Sequence, residues 1–195
     1  SGDKLHITGA ETQDIIVTVS LSTNKSFEWV EVVNDNKWEP AKGEYIVIVD
    51  SDDRMFPGPM EKWVAVMQDS GCSFGIFSHT GINDIFKMDP EKIIRRHFFE
   101  KPILNFGPIA TIIKTSYFKK IKGFPEKYGP ANDMYYNLKA ASGTKTVVFP
   151  FPLVDYRIHE GQEINNKYSY LYNNYLYLRD ALNELDLPLT VKEKN

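Results

Sequence analysis

Residues 42–63, KGEYIVIVDSDDRMFPGPMEKW, decide how this chain is read. Tyr45–Val49 is an unbroken apolar run, and such a run predicts a strand buried on both faces. It ends in Asp50-Ser51-Asp52-Asp53. Three carboxylates in four residues repel one another unless they are solvated or share a cation. An isolated acidic turn of this kind is usually just solvated. Here it leaves a buried strand, at the edge where α/β sheets bind ligands, and alternating carboxylates there can meet one hard ion while leaving room for phosphates. Pro59 then suits the first turn of a helix. Met60, Trp63, Val64 and Met67 continue it at helical spacing, and Gly71 ends it.

Working outward, residues 10–22 are expected to form a helix with Ile15, Ile16, Val19 and Ser22 on one face, in spite of their β-branched content. Residues 27–33 alternate and read as a strand closed by Asn34-Asp35. Downstream, strands are expected at 73–78, 109–114 and 146–149. Helices are expected from Asp89-Pro90 to Phe98, briefly before Gly123, over 132–142 with Gly143 at the end, and over 165–185. Strands alternating with helices imply an α/β domain, a mixed and mostly parallel sheet flanked by helices. In the last helix Tyr168, Leu171, Tyr175, Leu178, Leu182 and Leu185 step by three and four. Packing on its own domain is the simpler reading of that seam, and pairing with a second copy is the sharper one.

The 195 residues are enough for one domain with a real core. With 42% apolar and 25% charged residues the composition is that of an ordinary globular protein. A net charge of −3 gives no basic field to collect nucleic acid. The lone cysteine, Cys72, excludes an internal disulfide and fits a reducing compartment. No apolar run approaches the ~18 residues of a membrane span, and no signal-peptide pattern opens the chain. The 11 Tyr and 12 Phe would suit the flat apolar faces of sugars, although aromatic residues more often fill cores.

The opening stretch resembles the metal-binding segment of the family 2 inverting glycosyltransferases: A-x-G-E-Y-I, an apolar strand, D-x-D-D and a Pro-led helix. Three further pieces follow in that family's order. Residues 107–124, GPIATIIKTSYFKKIKGF, resemble its strand, short helix and GGF turn. Residues 129–143, GPANDMYYNLKAASG, resemble its E-D-x-x-L-x-x-R helix, and 152–159, PLVDYRIH, resemble its closing Y-R-x-H. Together the four cover most of residues 41–160.

The resemblance implies a GT-A nucleotide-diphospho-sugar transferase fold over 1–163, with a C-terminal helix and tail at 164–195. It implies transfer, with inversion, of a sugar from a nucleotide donor such as a UDP-sugar to an acceptor hydroxyl, assisted by Mn²⁺ or Mg²⁺. Asp50 and Asp52 would meet the metal and donor phosphates with Asp53 nearby, and which two touch the ion stays open. Asp133 falls on the second acid of the E-D pair, the general base. A first-turn position suits it, because the helix dipole favours the ionised form, although aspartate at a helix start is ordinary. Asn132 replaces the family's Glu, which implies altered acceptor contacts or a simple cap. His159 would complete the metal or diphosphate site and Arg157 would offset phosphate charge, the bland alternative being an exposed loop pair. Glu160-Gly161-Gln162 reads as a closing lid. His6, His79 and His97 match nothing and are taken as structural.

The family's opening Pro-x-Tyr-Asn strand is not found. Asp35 aligns with an aspartate that contacts uracil or ribose, but NDNK stands in place of DDGS. Where the family has a further helix and strand, this chain has only residues 36–42. Missing residues are therefore expected, with breaks or awkward jumps near 1–9 and between Asp35 and Gly43, since a parallel sheet would otherwise lack its crossovers. The expected setting is the cytoplasmic face of a bacterial membrane, with peripheral association and a carbohydrate or lipid-linked acceptor of surface-polysaccharide synthesis. Two other classes compete. Haloacid dehalogenase-type phosphatases also end a strand in Asp-x-Asp, but their later Gly-Asp-x-x-x-Asp is absent. A non-catalytic carbohydrate-binding or scaffold protein with a degenerate GT-A fold would explain the missing nucleobase segment, against the intact DSDD and Asp133.

Overall fold

The computed structural model describes residues 15–21, 27–31, 43–49, 53–78, 83–156 and 167–194. Among the expected site residues, Asp35, Asp50, Asp52, Arg157 and His159 lie outside the described residues. So do the breaks expected at 1–9 and 36–42, the lid, His6 and His79.

The central strand β3 is Tyr45–Val49, and its first four side chains are 2% exposed or less. Its alternation divides the core in two. Ile46 and Ile48 enter one apolar cluster with Phe74, Ile93, Ile94, Ile113 and Tyr136. Tyr45 and Val47 enter the other with Met60, Trp63, Met67, Ile112 and Phe149. Helix α1 (Pro59–Ser70) covers this second face, where Trp63 stacks on Phe149 at 4.0 Å between ring centroids. Gly71 ends α1 in a left-handed conformation, φ 66°, that a side chain would strain. Helices α2 (Pro90–Phe99), α4 (Asn132–Ser142) and α5 (Lys167–Glu184) serve the first face. The result is a sheet between two helical layers.

Among the described residues the sheet has seven strands, in the order β2-β1-β3-β7-β5-β8-β6. They are β1 Ile15–Leu21, β2 Phe27–Glu31, β3, β5 Phe74–Phe77, β6 Phe86–Met88, β7 Thr111–Lys114 and β8 Thr146–Phe149. A separate ribbon pairs β4 (Arg54–Met55) with β9 (Val154–Asp155), and the described residues also form the short helices α3 (Thr115–Lys120) and α6 (Val191–Lys194). The sheet is mixed, as expected. β2, β3, β5 and β8 share one direction, but oppositely directed strands interleave, so among the described residues β5–β8 is the one parallel ladder.

Two expectations are corrected. Residues 15–21 form a strand and not part of a helix. Ile15 to Val19 are all β-branched, which restricts their rotamers in a helix, and β1 gains antiparallel ladders on both edges, with β2 and with β3. Those ladders also remove the premise that a short N-terminal region leaves the sheet without crossovers, because antiparallel neighbours do not need them. Pro108–Ala110 is a single 3₁₀ turn before β7, with the Thr111 hydroxyl donating to the Pro108 carbonyl at 2.8 Å.

Candidate active site

β3, β5 and β8 run together and β7 runs against them, so three carboxyl ends and the start of β7 share one edge of the sheet. The acidic turn leaves β3 at this edge and returns to the described chain at Asp53, which is half-buried with its Oδ2 covered. From there β4 pairs with β9, Arg54 opposite Asp155 and Met55 opposite Val154. The Phe56 N–H donates to the Leu153 carbonyl at 2.9 Å. This ribbon ties the exit of the acidic turn to the strand from which the chain runs on to Arg157 and His159. Among the described residues no group of three His, Cys, Asp or Glu side chains comes together. Of the four expected metal ligands, Asp53 alone is described.

Asp133 reaches the same edge from the first turn of α4. Tyr128 (φ 76°) and Gly129 (φ 44°) reverse the chain, and the turn Gly129–Ala131 runs directly into the helix. Asn132 is the first helical residue, and the preceding Ala131 makes no side-chain cap, so the cap reading of Asn132 is corrected. Asp133 Oδ1 accepts from the Met134 N–H at 2.7 Å. On the far side, Oδ2 faces Gly107, where an added Cβ would lie 3.7 Å away. One turn further, buried Asn137 donates to the carbonyls of Leu104 (3.0 Å) and Phe106 (2.7 Å). α4 is thereby clamped to the loop that carries Gly107 into β7.

The C-terminal helix closes this corner. Tyr128 donates to Asp180 at 2.9 Å and Tyr135 to Glu184 at 3.1 Å. Lys127 lies 3.7 Å from each of those two carboxylates. Burial, helped by the hydrogen bond to Glu184, pushes the Tyr135 phenol up to about 12, so it stays a donor at any ordinary pH. Tyr177 lies close enough to Asp133 that the carboxylate adds to the upward shift that burial imposes on its phenol. Asn137 and Tyr177 were missed by sequence reasoning. The signal for Asn137 is a buried polar residue one turn from Asp133 among apolar neighbours; for Tyr177, which approaches from a distant helix, the sequence held none.

A sheet between helical layers, with three carboxyl strand ends gathered at one edge, defines an α/β fold of the kind that binds ligands at that edge. No protein-family model matches the chain, and no curated protein matches it. Solved structures do. S. aureus TarS 1–349 in complex with UDP-GlcNAc matches with a TM-score of 0.59 and 19% identity, over 79% of this chain and 46% of that one. The same protein in complex with UDP matches with a TM-score of 0.55, 18% identity, and coverage of 79% and 44%. The TarS 1–349 structure without a named ligand gives 0.52, 20%, 79% and 44%. The chain therefore spans less than half the length of these structures and shares their fold.

Proposed function

We propose that the chain is the catalytic part of an inverting, GT-A, family 2 type glycosyltransferase, using a UDP-sugar such as UDP-GlcNAc and a carbohydrate or lipid-linked acceptor. The observation that supports the reading is the position of Asp133 beside Gly107, at the same sheet edge where β3 runs out towards Asp53, in a fold shared with a UDP-GlcNAc complex. Residues 1–163 make up the catalytic unit in this reading, and 164–195 the helix and tail packed on it. Asp133 takes the proton of the acceptor hydroxyl as that oxygen bonds to the anomeric carbon and the bond to the diphosphate breaks. Asp35 contacts the base or ribose, and Arg157 offsets the charge left on the diphosphate. The carboxylates of Asp50, Asp52 and Asp53 are hard oxygen donors that suit Mn²⁺ or Mg²⁺, with His159 better suited to Mn²⁺. When bound, the ion supplies positive charge to the leaving diphosphate. No helix among the described residues is long and apolar enough to cross a membrane, and the reading sets the protein at the inner face of a bacterial one.

Calorimetry with UDP-GlcNAc and Mn²⁺ tests this. Metal-dependent binding is expected for the native chain and lost in Asp52→Asn, with circular dichroism unchanged. Equal binding by the variant would remove the acidic turn from the site. No binding of any UDP-sugar by the native chain would favour the non-catalytic carbohydrate-binding protein.

A further inference from the structure

Over residues 168–178, helix α5 is apolar on two opposite sides, and only one of them meets its own domain. Asn173, Leu176, Tyr177, Asp180, Ala181 and Glu184 fall on the inward side. Leu176 and Tyr177 pack against the core, Ala181 is fully buried, and Asp180 and Glu184 take the tyrosine hydrogen bonds. Half a turn round the helix stand Tyr168, Leu171, Tyr172, Tyr175 and Leu178, exposed by 90%, 73%, 64%, 65% and 37%. Of the expected seam, then, the first four residues face outward, while Leu182 and Leu185 pack against the core.

Nine large apolar side chains are exposed among the described residues, and these five form the one group that shares a helix face. At ~150–250 Å² for a large aromatic side chain, the stripe presents roughly 500–600 Å². Scattered exposed residues are normal, but a contiguous patch of this size marks an interaction surface. Two copies of the stripe facing each other would bury at most about 1,100 Å² in all, at the lower bound of about 1,000 Å² for a specific interface. Residues 168–178 contain no charged residue, so a matching surface needs no countercharge and repels nothing in a copy of itself. An anionic bilayer is the poorer match, since helices lying on such surfaces carry Lys and Arg along their polar flank. The Arg179 charge is already met by Asp180 at 2.6 Å, leaving that end of the stripe neutral as well. Tyrosine suits the role, with a ring to bury and a hydroxyl to keep wet at the rim.

We propose that the chain forms a homodimer in which this outward face of α5 packs against the same face of a second copy. Such an isologous contact needs one self-complementary patch and closes at two. Because α5 also holds the Tyr128 and Tyr135 hydroxyls beside the start of α4, the contact braces the helix that carries Asp133.

Sedimentation velocity on the full chain, from low micromolar to about 100 μM, suits an interface at the small end of the size range. The native chain is expected to reach twice the monomer mass, and the double variant Leu171→Glu, Tyr175→Glu to stay monomeric with an unchanged circular dichroism spectrum. Both sites are exposed, so the variant should fold. A native chain that remains monomeric throughout would overturn the proposal, and so would a variant that still dimerises. Monomers that instead cosediment with phosphatidylglycerol vesicles would assign the face to a membrane and overturn it equally.

Discussion

The carboxylate of Asp133 faces Gly107 so closely that a Cβ at that glycine would sit 3.7 Å from Oδ2. Gly107 has an ordinary backbone, φ −61° and ψ 170°, so alanine adds only a van der Waals contact there. A longer side chain would occupy the space in front of the carboxylate. Gly107→Ala is expected to keep its fold and most of its turnover, and Gly107→Leu to lose turnover with its melting temperature little changed. Comparable turnover in the two variants would show that the space before Asp133 is not used by substrate.

Asp133→Asn keeps the shape of the side chain and removes its basicity. Turnover is expected to fall by ~100-fold or more, as loss of a general base typically does, while UDP-GlcNAc affinity stays nearly constant. Donor binding by calorimetry beside steady-state rates gives the answer. Equal losses in both would make Asp133 a donor-binding or structural residue.

Asn137 is fully buried, and its amide holds two carbonyls of the loop before Gly107. Asn137→Ala should cost about 1–3 kcal/mol for each carbonyl left bare. Thermal unfolding will show this as a lowered melting temperature. If the clamp also positions Gly107 against Asp133, turnover at the permissive temperature drops while donor affinity holds.

His97 accepts a hydrogen bond from the Leu104 N–H at Nδ1, 3.2 Å away, and burial lowers its pKa from 6.5 to about 4. The native state thus resists protonation that the unfolded chain accepts. The contribution is complete above pH 6.5 and is lost as pH falls towards 4, with a full extent on the order of 3 kcal/mol. Denaturant unfolding at several pH values should show the loss in the native chain and a flatter profile over this window in His97→Gln.

Some of this was legible in the chain itself. The run Tyr45–Val49 pointed to a strand buried on both faces, because it is short, rich in β-branched residues and apolar whichever face a side chain takes. Pro59, Gly71 and Gly143 marked helix ends through backbone constraints that act within a few residues, and the helix over 132–142 was found to the residue for the same local reason. His97 was taken as structural, and its half-buried ring accepts a bond from the Leu104 N–H.

Ile15 to Leu21 shows the limit. Ile15, Ile16 and Val19 can be laid on a helical face, but Val17, Val19 and Leu21 alternate with Thr18 and Ser20 as in a strand, and the edges of β2 and β3 accept that backbone. The α5 stripe is alike in kind: spacing could show that Tyr168, Leu171, Tyr175 and Leu178 line one face, but not that this face points away from the domain. That was settled by where α4 and the turn at Gly129–Ala131 met the helix. The pairing of Asp133 with Gly107, and the clamp of Asn137 on Leu104 and Phe106, likewise join residues far apart in the chain. Local preferences act over a turn or a few residues and can be read in order. Which faces meet depends on long-range packing, whose free energy appears only when the distant partners are already in place.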